Sequence, residues 1–336
     1  MDIYEDTLIV GALGEGDANN EIFNRGSAHV FVRDTEGDWS YQTKLSATDG
    51  ASDDYFGYDV AVYEDVAVVT AWNDDDKAQE SGSAYVFMRN GQGVWTEVVK
   101  LLAPDGKAED YFGNSVDLYD NTIIVGAWWD DNEDTNSTNS GSAHVYVRDE
   151  DTWVWQAKLQ DAIGESEDRF GNRVSIWGDT AVVGARGDDD DSTDAGSVYV
   201  FRRYGDSWIS EAKLGKFLLL WCPFALHKDN TDLLTCTSLT VAPDGAPGDQ
   251  FGGSVSLYED HLIVGARYDD DIGSDSGSAH VFVRNGEEWT WVQKLLAPEG
   301  ESQDFFAFST GIYNGTVVVG SISGETHVYS SYLGKE

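Results

Sequence analysis

Apolar positions in this chain fall in short runs. Thr122 to Ala127, TIIVGA, is apolar on both faces, while Ser142 to Arg148 sets Ala143, Val145 and Val147 against His144, Tyr146 and Arg148. A period of two marks a strand, and a strand apolar on both faces needs a covering layer on each side. From Phe112 onward the pattern predicts four strands: strand A is FGNSVDLY, strand B TIIVGA, strand C SAHVYVR and strand D WVWQAKL, with turn residues between them. The A-to-B turn is tight, Tyr119-Asp120-Asn121 here and the hairpin-favouring Asn314-Gly315 near the end.

The same block recurs at Phe56-Gly57, Phe112-Gly113, Phe170-Gly171, Phe251-Gly252 and Phe306-Ala307, with spacings of 56, 58, 81 and 55. One such sheet cannot cover both of its own faces, so the repeat predicts an all-β fold, a β-propeller of four-stranded antiparallel blades in a single domain over 1–336. Six units follow, at about 1–50, 51–106, 107–164, 165–245, 246–300 and 301–336. Six blades is the favoured count, with a truncated seven-bladed ring as the alternative. Met1-Asp2-Ile3-Tyr4 aligns with Val116-Asp117-Leu118-Tyr119, which starts the first unit inside strand A, and the last unit stops after strand C at Val328-Tyr329. The glycines of FG and GA are expected where neighbouring blades approach too closely for a side chain.

FGNSV followed by IIVGA, and FGGSV followed by LIVGA, resemble the FG-GAP repeat over nearly the whole chain. The resemblance implies the propeller of integrin α-subunit heads and of many secreted or cell-surface proteins, concerned with adhesion or ligand binding and not with catalysis. It implies an extracellular or cell-surface location and a protein or carbohydrate ligand at a cell surface or matrix. The alternative is an acidic structural or solubilising propeller of a larger secreted protein, without a specific ligand. The integrin-type DxDxDGxxD calcium loop lies between the FG strand and the GA strand. Here that connection is only a turn such as LYDNT, so the family's site carries over to no residue of this chain.

Charge narrows the partners. The formal balance is -40, from 61 acidic against 21 basic residues, which repels phosphate backbones and anionic headgroups and excludes nucleic acid. No apolar run reaches the length of a membrane helix, so direct insertion is not expected, and the N-terminus lacks a secretory signal pattern. The long spacing of 81 contains an anomalous piece, 215–238, GKFLLLWCPFALHKDNTDLLTCTS, which holds both cysteines, Cys222 and Cys236. Without it, KL runs into LTVAPDGAPGDQFG as in the other units. Gly215-Lys216-Phe217 can be encoded by a splice-donor-like sequence, and the segment reads as a retained intron; an exposed apolar docking loop is the other reading.

The B-to-C loops carry the candidate chemistry: WNDDDKAQES, WWDDNEDTNSTNS, RGDDDDSTDA and RYDDDIGSDS. Oxygen side chains fall at positions one, three and seven, as Asp74, Asp76 and Glu80; Asp130, Asn132 and Asn136; Asp188, Asp190 and Asp194; Asp269, Asp271 and Asp275. Calcium takes six to eight oxygens, so three per loop make it the candidate cofactor, with carbonyls, water or a neighbouring blade completing the shell. A solvated acidic turn is the competing reading. The sixth unit shortens its loop to SISGETHVY, and the first, GALGEGDANNEIFNRGS, lacks the register. Arg186-Gly187-Asp188 occupies a slot that reads Trp72-Asn73-Asp74, Trp128-Trp129-Asp130 and Arg267-Tyr268-Asp269 elsewhere, which favours an accident of a variable slot over an adhesion motif.

Other recurrences read as structural. His29, His144, His280 and His327 share a strand C position with Tyr85 and Tyr199, which points to packing and not to zinc. Asp54, Asp110, Asp168, Asp249 and Asp304, each two residues before the FG phenylalanine, are expected to bond turn amides. Trp39, Trp95, Trp153, Trp208 and Trp289 of strand D are expected to pack at the core or blade edges. Asn136 and Asn314 head glycosylation sequons on predicted turns. No set of residues breaks the repeat as a catalytic constellation would, so an enzyme is not expected.

Overall fold

The computed structural model describes residues 1–16, 23–150, 152–190, 193–215, 240–241 and 246–330. Apart from Gly215, the anomalous piece 215–238 lies outside the described residues. Six antiparallel sheets follow one another along the chain. Sheet 1 holds β1 (Asp2–Tyr4), β2 (Thr7–Gly11), β3 (Ala28–Arg33) and β4 (Trp39–Leu45). Sheet 2 holds β5 (Val60–Tyr63), β6 (Val66–Ala71), β7 (Ser83–Arg89) and β8 (Trp95–Leu101). Sheet 3 holds β9 (Phe112–Tyr119), β10 (Thr122–Ala127), β11 (Ser142–Asp149) and β12 (Thr152–Leu159). Sheet 4 holds β13 (Phe170–Trp177), β14 (Thr180–Ala185), β15 (Ser197–Tyr204) and β16 (Ser207–Gly215), with β17 (Thr240–Val241) beside β16 in parallel. Sheet 5 holds β18 (Phe251–Tyr258), β19 (His261–Ala266), β20 (Ser278–Asn285) and β21 (Glu288–Leu295). Sheet 6 has three strands, β22 (Ser309–Tyr313), β23 (Thr316–Gly320) and β24 (Thr326–Ser330).

This is an all-β, six-bladed β-propeller fold, and the described residues contain no helix. The chain forms two compact units, Met1–Val183 and Gly184–Glu336, divided inside β14.

In the first unit the core lies between sheets. Ile9, Ala28, Val30 and Leu45 of sheet 1 pack with Phe56 and with Val60, Val62, Ala67, Val69, Tyr85 and Phe87 of sheet 2. The other face of sheet 2, with Val66, Val68, Ala84 and Val86, packs on Val116, Leu118, Ile123 and Val125 of sheet 3. The strand B runs are buried at every position in β6 and β10 because they are covered from both sides. In the second unit Ile263, Val281 and Leu295 of sheet 5 pack with Ile312, Val317 and Val319 of sheet 6.

Close approach between successive blades explains the glycines. A Cβ on Gly126 would lie 2.1 Å from the carbonyl oxygen of Gly171, and Gly171, at φ +87°, would put its own 2.0 Å from the Ser142 oxygen. Neither position has room for alanine.

A bulge recurs between strands C and D. In sheet 3 it falls between Val145 and Tyr146, so that Tyr146 opposes Trp155 while His144 opposes Lys158. The extra residue turns the end of β12 over, bringing Lys158 onto the face of His144. The same shift sets His29 against Lys44, Tyr85 against Lys100, Tyr199 against Lys213 and His280 against Lys294.

Candidate functional site

Each B-to-C loop leaves strand B with a turn whose first aspartate folds back under the sheet. Asp74 is buried, and its Oδ1 accepts the amide of Asp76 at 2.9 Å. Its Oδ2 accepts the Ser83 hydroxyl at 2.8 Å and the Tyr85 hydroxyl at 2.7 Å, and lies 2.8 Å from Lys100 Nζ. Ser83 and Tyr85 stand two apart on β7, hence on one face, and the bulge delivers Lys100 to that face. Lys100 also pairs with Asp76 and, at 3.1 Å, with Asp49.

The other loops repeat the arrangement. Asp130 Oδ2 accepts the Ser142 hydroxyl at 2.6 Å and pairs with Lys158 at 2.6 Å, while Lys158 also reaches Asp105 at 2.6 Å. Asp188 takes the Tyr199 hydroxyl and Lys213, both at 2.7 Å. Asp269 takes the Ser278 hydroxyl at 2.7 Å and Lys294 at 2.6 Å. Position three follows position one: Asp190 pairs with Lys213 at 2.6 Å and Asp271 pairs with Lys294. Asn132 instead accepts the amide of Asp134 at 3.0 Å.

Position seven serves the backbone. Glu80, Asp194 and Asp275 have φ of 53°, 49° and 54°, and their carbonyls accept the amides of Tyr111, Gln250 and Phe305 just ahead of the next FG phenylalanine. In the longer third loop this place belongs to Asn139, whose carbonyl accepts Arg169, while Asn136 is exposed three residues earlier.

Burial by itself would lower the pKa of Lys100, but its hydrogen bonds to Asp74 and Asp76 outweigh that and hold it above the ordinary lysine value. Lys158 and Lys213 are raised in the same way, against burial, by Asp105 with Asp130 and by Asp188. Burial pushes His144 down to about 3, so the ring is neutral. Trp155 Nε1 donates to its Nδ1 at 3.3 Å, which leaves the proton on Nε2, 3.2 Å from the Ser142 hydroxyl that donates to Asp130. The strand C histidines do pack, with Phe112 edge-on to His144 at 5.5 Å, but His29, His144 and His280 also belong to this polar chain through Ser27, Ser142 and Ser278.

Sequence reasoning missed two members. The lysines were printed five times as a KL dipeptide closing strand D. In the first blade Glu15 takes the aspartate's place, bonded to Ser27, 3.1 Å from His29 Nε2 and 2.5 Å from Lys44 Nζ. The Lys44 hydrogen bond is the main reason its pKa falls to about 2.

Calcium would need these oxygens free. The position-one and position-three carboxylates instead converge on an ammonium nitrogen, and hydroxyl protons fill the remaining side of the position-one Oδ2. A dication there would meet a full positive charge at contact distance, so the donor set does not fit calcium while the lysine is in place.

Asp188 is buried against Lys213, which removes the aspartate of Arg186-Gly187-Asp188 from the surface. Asp54, Asp110, Asp168, Asp249 and Asp304 accept the amides of Ala51, Lys107, Glu165, Ala246 and Glu301 at 2.5–2.6 Å, the turn role expected of them. Trp153 and Trp289 are buried and Trp39 is exposed, with Arg33 stacked over it at 5.5 Å. Asn136 and Asn314 are exposed on turns.

The variable slot at the foot of the loops builds an aromatic belt in the first unit. Trp72 lies 5.1 Å from Tyr58 and 4.8 Å from Tyr111, Tyr111 lies 5.1 Å from Trp129, and Trp129 lies 5.6 Å from Trp128. Trp72 Nε1 and Trp129 Nε1 are buried with no hydrogen-bond partner among the described residues. In the second unit Arg267 stacks over Tyr268 at 5.0 Å and over Phe308 at 5.5 Å.

An acid closed by the strand D lysine in each of blades 1 to 5 defines a repeat-built propeller scaffold. The chain belongs to the FG-GAP repeat family, whose model matches residues 39–87, 95–146, 153–201, 237–282 and 289–331, more than half of its length. Proteins of this family are generally non-enzymatic and extracellular. No curated protein matches the chain at a significant level. No helix among the described residues is long and apolar enough to cross a membrane.

Proposed function

We propose that this chain is a non-catalytic extracellular or cell-surface binding module that captures a basic segment of a partner protein on the loop face of the unit Met1–Val183. The aromatic belt of Tyr58, Trp72, Tyr111, Trp128 and Trp129 carries the reading. Its sequence neighbours Asp53, Asp75 and Glu109 are exposed carboxylates. Half-buried aromatic faces beside anionic groups favour a guanidinium or ammonium, at about 0.5–2 kcal/mol per stacked cation. The net charge of -40 supplies long-range attraction for the same partner.

Titrating tryptophan fluorescence with a tetra-arginine peptide, and with its uncharged citrulline counterpart, tests the reading. Saturable quenching by the arginine peptide alone, lost in Trp72→Ala, is the expected result. An equal response to both peptides, or to neither, overturns it and leaves the acidic structural module as the better account. Calcium, which the oxygen register left open, has no part in this reading.

A further inference from the structure

The lysine of strand D recurs in five blades, while the acid it meets changes from aspartate to glutamate and the loop above it changes in length. In the first blade Glu15, and in the next four Asp74, Asp130, Asp188 and Asp269, reach the same ammonium on the same face of the sheet. The acid keeps its place, its amide bonded to the carbonyl of Ala12, Ala71, Ala127, Ala185 or Ala266 at the end of strand B, so the loop changes length only beyond it. The lysine's position is fixed by the bulge between strands C and D, which is part of the blade itself.

We infer that this lysine is a built-in cation that closes each B-to-C loop in place of a divalent metal, and that it excludes metal from the loop. Three features converge on the inference. The nitrogen sits where the position-one and position-three carboxylates of blades 2, 4 and 5 both aim. The position-one Oδ2 receives hydroxyl donors as well, Ser83 with Tyr85 on Asp74 and Ser278 on Asp269, which calcium would have to displace. The Oδ1 atoms of Asp74 and Asp269 are already engaged by the amides of Asp76 and Asp271, at 2.9 Å in both loops.

A metal-closed loop would be stabilised by mass action when the ion is added, and a lysine-closed loop would not. Removing the ammonium leaves two carboxylates and a shaped loop, the donor set a dication accepts.

Thermal unfolding of the full chain in chelator and then in millimolar calcium, with terbium luminescence sensitised by tryptophan as a second readout, tests the inference. The unaltered chain is expected to show no change in Tm and no saturable terbium signal. Lys294→Met is expected to unfold several degrees lower in chelator, to regain part of that loss in calcium, and to acquire a terbium signal. Lys294→Arg, which keeps the charge, is expected to stay unresponsive to both ions. A calcium-induced rise in the unaltered chain that shrinks in Asp269→Asn overturns the inference, and this measurement holds even where Lys294→Met fails to fold. A folded Lys294→Met that ignores both ions overturns it as well. The peptide titration does not depend on the lysine, so either proposal can fail alone.

Discussion

Cation–carboxylate pairs stand at the loop end of strand C in blades 1 to 5 and at its turn end in blades 1, 2 and 5, and the two ends differ in what surrounds the pair. At the loop end Lys158, Lys213 and Lys294 meet aspartates that are only 3–6 % exposed. At the turn end Arg33 meets Asp6, Arg89 meets Asp65 and Arg284 meets Asp260 at 2.6–2.9 Å, with aspartates 54–64 % exposed. The attraction is alike, but only the loop-end carboxylates have given up their water. An exposed pair exchanges solvation for solvation and contributes little. A buried pair adds little over an apolar replacement, yet breaking it strands a charge.

The largest expected effect follows from that asymmetry. Lys158→Met leaves Asp130 buried with the Ser142 hydroxyl as its remaining side-chain donor at 2.6 Å, and should lower stability by about 3–5 kcal/mol. Adding Asp130→Leu should recover much of the loss, since it removes the stranded charge. Thermal unfolding of both variants separates these outcomes. A double variant as unstable as the single one would show that the pair holds the loop by more than charge balance.

This comparison was partly legible in the sequence. Strands β9 and β10 coincide with the predicted FGNSVDLY and TIIVGA, because a run buried on both faces has no other use in a small sheet. The turn aspartates were legible too, their spacing from the FG phenylalanine being short and invariant. The lysine was visible but its face was not. Strict alternation along β12 places Lys158 opposite to Trp153 and Trp155, and only the extra residue at the bulge brings it round to His144. Glu15 escaped because register counting looks for an aspartate run, although Glu15 follows Ala12 as Asp74 follows Ala71 and makes the same turn bond. Asn136 was counted as a position-seven oxygen ligand across a loop longer than its neighbours, and the backbone role that position seven has in the other loops belongs there to Asn139.

A middle-sized effect concerns the buried carboxylates beside the loops. Burial raises Asp110 to about 7 and Asp54 to about 6. A folded-state pKa above the ordinary value of about 3.9 means that the folded chain holds the proton more tightly. That contribution is complete below about pH 4 and is lost as pH rises through about 7. Stability should therefore fall between about pH 4 and pH 7, in part through self-repulsion of the whole acidic chain. Asp110→Asn, whose amide oxygen can still accept the Lys107 amide, should flatten this fall by on the order of 1–3 kcal/mol. Parallel pH profiles for the two proteins would show that Asp110 does not contribute.

The smallest effects belong to the turn end, and they sharpen the comparison by separating charge from packing in one residue. Asp65→Asn removes only the exposed partner of Arg89 and should cost about 0–1 kcal/mol. Arg89→Ala removes more: the guanidinium lies over Trp95 at 5.2 Å and donates to Thr7 Oγ1 at 2.9 Å, so its loss should exceed that of Asp65→Asn by about 1 kcal/mol. In about 1 M salt, where the screening length is roughly 3 Å, the Asp65→Asn effect should vanish. The Lys158→Met effect should persist there, because screening ions cannot enter a buried pair. If salt instead erased the loop-end effect as well, the loop-end carboxylates would be hydrated in solution, and the contrast between the two ends of the blade would fall with it.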